Sequence, residues 1–340
     1  MTRTIVYVAC ADSHEIAVLH LDPASGALVP VQQVATGGTV MPLAVSADRR
    51  RLYASIRSAP LAVLSFAIDP ADGTLAPLGT SPLPASMCWI GLDRSGRWLL
   101  SASYGESLVA VSPIGDDGVA GAARQTVGTA ANAHSIQADP ANRFAFAACL
   151  GGDVVSAFAF DADRGSLELR PEPAWRTRAG AGPRHFAFHP TAPFVYLLNE
   201  LDATVDALEH HADAGRFGHV QTIGSMPPGA VGKPWAADIH FSPDGRFLYT
   251  SERRSSTLAA FAVDARGGWL TLLGRVETAT EPRGFAIDPS GRWLIAAGQA
   301  SHSVRVHAID AKSGALAPHA DLGVGRNPNW VEIVALGGAR

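Results

Sequence analysis

The chain has 340 residues, and 47% of them are hydrophobic, which is enough for a large core. Its 27 basic and 31 acidic side chains give a formal charge of −4, which argues against a nucleic acid or a membrane as its partner. No apolar run approaches a membrane span, and the first residues do not resemble a signal peptide.

One pattern recurs along the chain, a polar turn followed by a hydrophobic strand. The clearest copies are residues 242–249 (SPDGRFLY) and 288–295 (DPSGRWLI). Seven equivalent positions, 46 to 53 residues apart, are Tyr7, Tyr53, Leu100, Phe146, Tyr196, Tyr249 and Ile295. A repeat of this length made of short strands predicts a β-propeller or a solenoid.

The last complete copy shows how each repeat forms four strands. Residues 283–287 and 293–297 flank an Asp-Pro-Ser-Gly turn and are the first two strands. Residues 304–309 alternate as a half-buried third strand should, and residues 315–322 give a more polar outer strand. Four antiparallel strands in seven copies predict an all-β, seven-bladed propeller with little helix, as a single domain over residues 1–340.

The two ends of the chain are out of phase with the repeat. The chain begins at a second strand, and residues 330–335 form a lone first strand. Pairing of this C-terminal strand with the N-terminal strands completes a blade and protects two open edges. A solenoid would instead need capping repeats, so a closed ring is favoured.

Candidate functional residues lie where the copies differ. In an up-and-down blade the entry to strand one and the exit from strand two lie on the same face, around one mouth of the central channel. The opposite face carries the repeated turns. The residues at the mouth registers include Arg57, Tyr104, His134, Arg184, His185, Glu200, Asp238, Arg253, Arg283 and Gln299.

This set has the chemistry of an anion site that also holds acid–base groups. Its four arginines offer rigid forks of donors to phosphate or carboxylate, and its histidines and carboxylates can exchange protons. No serine or cysteine lies in a nucleophile motif. Two plainer interpretations remain: each arginine could pair with an acidic residue of a neighbouring blade, and His134 could be a buried structural histidine.

The cysteines and the remaining histidines do not indicate a metal. Cys10, Cys88 and Cys149 cannot all pair with one another and fit no metal-binding spacing. We expect them to be small buried side chains in a reducing, cytoplasmic compartment. We expect no cofactor and no metal.

Several motifs go beyond the propeller repeat. They are residues 182–186 (GPRHF), 196–200 (YLLNE), 235–240 (WAADIH), 248–253 (LYTSER) and 282–285 (PRGF). Through them the chain, from Tyr7 to Val334, resembles the seven-bladed propeller lactonase family of bacterial 6-phosphogluconolactonases. The resemblance implies hydrolysis of 6-phospho-D-glucono-1,5-lactone to 6-phosphogluconate in the oxidative pentose phosphate pathway. The related carboxymuconate-lactonizing enzymes have a similar His, Arg, Glu, Arg set, which by motif falls on His134, Arg184, Glu200 and Arg253. One departure is Glu252, where many relatives carry Asn or Asp, and it is expected to alter local hydrogen bonding.

We therefore predict a carboxylic ester hydrolase in which Glu200 or His134 activates water while arginines stabilise the oxyanion and hold the phosphate. The predicted catalytic residues are His134, Arg184, Glu200 and Arg253. The predicted substrate-binding residues are Arg57, His185, Asp238, Arg283 and Gln299. The expected partner is a small phosphorylated sugar lactone, and the chain is expected to be a monomer or a weak homo-oligomer. Two alternatives stay open: another lactonase or a muconate-type lactonizing cyclase, and a non-enzymatic interaction platform.

Overall fold

A computed structural model describes residues 3–337 of the chain as a series of β-strands. The only helical element among these residues is a 3-10 turn, Leu150–Gly152. No helix within this range is long and apolar enough to cross a membrane. The strands form seven separate antiparallel sheets, so the predicted seven-bladed all-β propeller is confirmed.

The strands follow one another blade by blade. The chain begins with β1 (Arg3–Cys10), β2 (Glu15–Leu21) and β3 (Leu28–Ala35). The first complete blade is β4 (Val40–Val45), β5 (Arg51–Ile56), β6 (Ala62–Ile68) and β7 (Leu75–Pro82). The second is β8 (Trp89–Leu92), β9 (Trp98–Ser103), β10 (Leu108–Pro113) and β11 (Gln125–Gly128). The third is β12 (Ala133–Ala138), β13 (Phe144–Cys149), β14 (Val154–Asp161) and β15 (Ser166–Leu169), and the short β16 (Trp175–Arg176) also pairs with β14.

The second half of the ring repeats this order. The fourth blade is β17 (Pro183–Phe188), β18 (Phe194–Asn199), β19 (Thr204–His211) and β20 (Arg216–Gly224). The fifth is β21 (Ala236–Phe241), β22 (Phe247–Glu252), β23 (Thr257–Val263) and β24 (Leu270–Glu277). The sixth is β25 (Pro282–Ile287), β26 (Trp293–Gly298), β27 (Ser303–Ile309) and β28 (Leu316–Gly323). The last strand is β29 (Pro328–Leu336).

The ring closes as the sequence predicts. Strand β29 pairs antiparallel with β1, with Tyr7 opposite Glu332, and the seventh sheet has the order β29-β1-β2-β3. The closing blade therefore takes its innermost strand from one end of the chain and its other three strands from the opposite end. This pairing covers the edge of β1 that would otherwise be open, and β29 takes the innermost position that the first strand holds in the other blades.

The seven equivalent strand-two positions form the buried centre of the blades. Each of them is at most 1% exposed. Where this position is a tyrosine, its hydroxyl donates to a glycine carbonyl in the turn between the third and fourth strands of the next blade. The four bonds are Tyr7 to Gly73 (2.9 Å), Tyr53 to Gly118 (3.0 Å), Tyr196 to Gly268 (3.0 Å) and Tyr249 to Gly314 (3.0 Å). The repeat therefore also connects neighbouring blades.

Replacing Tyr249 with phenylalanine tests this connection. The variant loses the hydroxyl and leaves the buried Gly314 carbonyl without its donor, which should lower the free energy of unfolding by about 1–3 kcal/mol. Urea unfolding followed by circular dichroism measures the change. Turnover of the folded variant should match the unmodified protein, because Tyr249 lies inside a blade. Unchanged stability would contradict the role of this hydrogen bond.

Candidate active site

A β-bulge near the start of the innermost strands positions side chains at the channel mouth. In β12, β17 and β25 the ladder skips the residue that follows the first paired one, and these residues are His134, Arg184 and Arg283. A bulged residue leaves the ladder and the strand bends, so its side chain is redirected. The three side chains occupy the same register in their repeats, which is why alignment of the repeats can find them.

Arg184, Glu200 and Arg253 form an ion-paired cluster between the fourth and fifth blades. Glu200 Oε2 lies 2.7 Å from Arg184 Nε and 2.9 Å from Arg253 Nη2. The two arginines are only 1% and 2% exposed. Buried guanidinium groups need such a partner, because removing them from water is costly. These three predicted catalytic residues are thus in direct contact.

Trp235 also holds the Arg253 side chain in place. Its guanidinium carbon lies 3.8 Å from the centre of the Trp235 ring, and its Nε donates to the Trp235 carbonyl at 3.1 Å. Next to it, Glu252 accepts the backbone N–H groups of Trp235 and Ser255, both at 2.6 Å. The departure at Glu252 therefore shapes local hydrogen bonding: it fixes the turn that carries Arg253.

Arg57 and Arg283 lie at the mouth without an acidic partner. Within residues 3–337 neither guanidinium forms an ion pair. Arg57 donates instead to the Ser86 hydroxyl and to the Met41 sulfur, both at 3.0 Å. Burial, followed by the charges of Arg184 and Arg57, lowers the pKa of Arg283 to about 9. The structural-pairing interpretation therefore fails for these two arginines.

His134 is buried beside the cationic cluster. Burial, reinforced by Arg184, lowers its pKa well below the usual 6.5, so the imidazole is neutral at physiological pH. Its Nδ1 is buried without a hydrogen-bond partner among the described residues. Its ring packs edge-on against His185 at 5.1 Å and Tyr104 at 5.9 Å between centres. A neutral imidazole in this position can accept a proton.

His185 and Asp238 lie one register further into the channel. His185 Nδ1 is 2.8 Å from Asp238 Oδ1, and both residues are buried. The His185 ring meets Trp89 at 4.7 Å and Trp330 at 6.0 Å. Because β8, β17 and β29 belong to blades that are not neighbours, these rings meet across the channel. Their predicted contact with substrate stays a prediction.

Gln299 is the predicted site residue least connected to the others. Its amide donates to the side chain of Asn327 at 2.7 Å, on the loop that precedes β29. The structure also adds Ser86, which accepts a hydrogen bond from Arg57, and His240, which contacts Asp238; the register comparison selected neither of them. His240 lies two residues after Asp238 on the same strand face, and this alternation is a signal that could have found it. No group of three or more potential metal ligands occurs in the part of the chain that the structure describes.

The fold and the site together define a seven-bladed propeller that carries a cluster of buried, ion-paired arginines between two of its blades. The family model for seven-bladed β-propeller lactonases matches residues 4–333. A 6-phosphogluconolactonase of Pectobacterium carotovorum is 43% identical over 98% of this chain and 99% of its own length. One of Serratia proteamaculans is also 43% identical, with the same coverage of both chains. The solved structure of the periplasmic gluconolactonase of Pseudomonas aeruginosa superposes with a TM-score of 0.91, with 29% identity over 99% of this chain and all of that one.

The chain belongs to the seven-bladed β-propeller lactonase family. This membership confirms the resemblance seen in the sequence motifs. It also confirms the predicted class of enzyme, a carboxylic ester hydrolase.

Proposed function

We propose that the chain hydrolyses 6-phospho-D-glucono-1,5-lactone to 6-phosphogluconate. The observation that carries the proposal is the uncompensated charge of Arg57 and Arg283 beside the Arg184–Glu200–Arg253 cluster. Four guanidinium groups face one carboxylate at this mouth. A dianionic phosphate relieves their mutual repulsion, and guanidinium forks match its oxygens.

The contacts also divide the arginines into two groups. Arg184 and Arg253 are fixed by Glu200, and we assign them to the lactone carbonyl, where preorganised donors stabilise the oxyanion as charge develops. Arg57 and Arg283 have no carboxylate partner among the described residues, and we assign them to the phosphate. Loss of Arg184 or Arg253 should therefore mainly lower kcat. Loss of Arg57 or Arg283 should mainly raise KM.

We assign the general base to His134 rather than to Glu200. Glu200 Oε2 is already occupied by the guanidinium groups of Arg184 and Arg253, at 2.7 and 2.9 Å, whereas His134 Nδ1 has no hydrogen-bond partner among the described residues. His134 is neutral and can take a proton from water as the water oxygen attacks the lactone carbonyl carbon. The tetrahedral intermediate then breaks the ring C–O bond. The proton on His134 passes to the leaving ring oxygen, and the product acid ionises to its carboxylate.

The proposal places the reaction in the oxidative pentose phosphate pathway and in the cytoplasm. The three cysteines are free and buried, which supports a reducing compartment. The likeness to a gluconolactonase structure favours a second candidate substrate, unphosphorylated gluconolactone. The phosphate distinguishes the two candidates, because only the phosphorylated lactone uses Arg57 and Arg283.

A coupled assay tests the proposal. The phosphorylated lactone is generated in situ, and 6-phosphogluconate release is followed with and without the protein, with spontaneous hydrolysis subtracted. We expect a kcat/KM at least tenfold higher for the phosphorylated lactone than for gluconolactone. Equal values would overturn the assignment of the phosphate, and turnover of neither lactone would overturn the proposed function.

Replacement of Arg283 by alanine separates phosphate binding from chemistry. The variant should raise KM for the phosphorylated lactone at least tenfold, which corresponds to one charge-assisted contact of about 1.5–3 kcal/mol. KM for gluconolactone should change less than twofold. Arg305→Ala serves as a control, because Arg305 pairs with Asp321 on an outer strand at 2.7 Å. An equal loss for both substrates would show that Arg283 does not bind the phosphate.

A further inference from the structure

We propose that the turn between β4 and β5 forms a second binding site, which takes a phosphorylated small molecule. Turns between the first and second strands lie on the face opposite the active site. This turn carries three consecutive arginines, Arg49, Arg50 and Arg51, and none of them forms an ion pair within residues 3–337. The site takes no part in the proposed reaction.

Arg49 occupies the position where the clearest copies of the turn have a glycine. Gly245 and Gly291 have φ values of 73° and 72°, and Arg49 has the same left-handed backbone with φ at 61°. This conformation is strained for a residue that has a Cβ atom but not for glycine. Arg49 Nη1 donates to the Ala335 carbonyl at 2.6 Å, which uses one of the five N–H groups of the guanidinium. The backbone therefore favours glycine here, and the reason for an arginine has to lie in its charged group.

Arg51 occupies the position where the other copies of the turn have an aromatic ring. Those rings are Trp98, Phe144, Phe194, Phe247 and Trp293. Each ring packs against a glycine of the next blade, and Arg51 packs against Gly118 in the same way. Arg51 Nε is thereby buried, without a hydrogen-bond partner among the described residues. An aromatic ring would cover this glycine without burying a charged group, so the fold alone favours an aromatic residue.

The three arginines line a cavity of about 550 Å³ at the place where the ring closes. Ile68, Pro70 and Leu336, the last residue of β29, also line it. In the other six blades a turn joins the first strand to the second. In the closing blade these two strands come from opposite ends of the chain. The cavity therefore lies beside the one blade that has no such turn.

The lining of this cavity is cationic, although the whole chain has a formal charge of −4. Its charged residues are the three arginines and Asp48, which give a net charge of +2. The Asp48 carboxylate is used within the turn, where Oδ1 accepts from Ser46 Oγ at 2.6 Å and from the Arg50 N–H at 3.0 Å. The guanidinium groups are therefore left for an anion from outside the chain. Positions at which a sequence breaks a local rule in this way are often functional.

The chemistry of the lining indicates the class of ligand. Guanidinium forks match the oxygens of a phosphate group. A free phosphate ion would fill only a small part of about 550 Å³, a volume that suits a small organic molecule. The apolar side chains of Ile68, Pro70 and Leu336 can contact the uncharged part of such a molecule. Nucleoside phosphates and sugar phosphates share these properties.

A titration of protein labelled with ¹⁵N-arginine tests binding at this cavity alone. The Nε–H signal of Arg51, assigned by its loss in Arg51→Trp, reports on the cavity and not on the arginines of the active site. We expect AMP and ribose 5-phosphate to shift this signal in a saturable way. Adenosine and inorganic phosphate should bind at least tenfold more weakly. The tighter of the two phosphorylated probes identifies the ligand as a nucleotide or a sugar phosphate, and either result supports the site.

Two substitutions restore the residues of the other copies and remove the charges. Arg49→Gly loses a charge-assisted contact to phosphate, so the affinity for AMP should fall at least tenfold. Its melting temperature should not fall, because glycine adopts this backbone without strain. Arg51→Trp should likewise keep its melting temperature. Arg97→Ala is the matched control, because Arg97 belongs to the equivalent turn of the next blade and pairs with Asp163 at 3.0 Å. Its affinity for AMP should stay within twofold of the unmodified protein.

Three results would overturn the proposal. The absence of a saturable shift with both phosphorylated probes would show that the cavity does not bind this class of ligand. Inorganic phosphate binding as tightly as AMP and ribose 5-phosphate would show that no larger molecule is recognised. Unchanged affinity in Arg49→Gly together with a lowered melting temperature would show that Arg49 serves the fold through Ala335.

Discussion

Replacing His134 with alanine should lower kcat for the phosphorylated lactone by about 10²- to 10⁴-fold, the range that general-base catalysis contributes. The reason is that the neutral imidazole beside Arg184 is the group placed to take a proton from water. KM should change little, because the phosphate is held by other residues. Steady-state kinetics on the phosphorylated lactone, with the spontaneous rate subtracted, measures the effect.

The pH dependence gives an independent check on His134. A base works only when unprotonated, so kcat/KM should rise with pH through its pKa in the free enzyme. Since burial and Arg184 lower that pKa well below 6.5, the profile should be flat near neutral pH and fall only at distinctly acid pH. His134→Gln, which keeps a polar side chain but cannot take the proton, should lose the same activity. Turnover within tenfold of normal in both variants would contradict the assignment.

Replacing Glu200 with glutamine should have the largest effect on stability and a large effect on rate. The change leaves two buried guanidinium groups without their carboxylate, and breaking a buried pair in this way costs about 3–5 kcal/mol. Arg184 and Arg253 would also lose the anchor that aims them, so kcat should fall by roughly 100-fold. Urea unfolding and steady-state kinetics measure the two effects.

Glu209→Gln is the matched control for this substitution. Glu209 lies exposed on β19 and forms no ion pair within residues 3–337, so the change should move the free energy of unfolding by less than about 0.5 kcal/mol. A Glu200→Gln variant as stable and as active as this control would show that the buried cluster contributes neither to stability nor to turnover.

The architecture could be predicted because the sequence repeats one strand pattern seven times. Most copies repeat the same turn and all seven repeat the same buried position, so Tyr249 or Ile295 can be placed without any tertiary information. The closure of the ring follows from the phase of the two ends. The bounds of the last complete blade differ from the observed strands by only one residue, because turn residues such as Asp288 and Gly291 mark them clearly.

The sequence predicts which residues come together at the site, but it does not predict the contacts between them. The register argument brings His134, Arg184 and Arg283 to one mouth, and the bulges explain why it works. It cannot show that Glu200 is already occupied by two arginines or that Asp238 is surrounded by donors. Those facts depend on contacts between blades about 50 residues apart in the chain, where side-chain length and backbone bending decide the partner.

The closing blade has a consequence for the order of synthesis. Strand β29 seals the ring against β1 and also supplies Trp330, one of the rings that meet across the channel. A nascent chain that has not yet released β29 from the ribosome therefore has an open ring and an incomplete channel lining, however well its earlier blades have folded. The chain should therefore become active only after β29 has joined the ring. Fragments that lack this strand should be inactive.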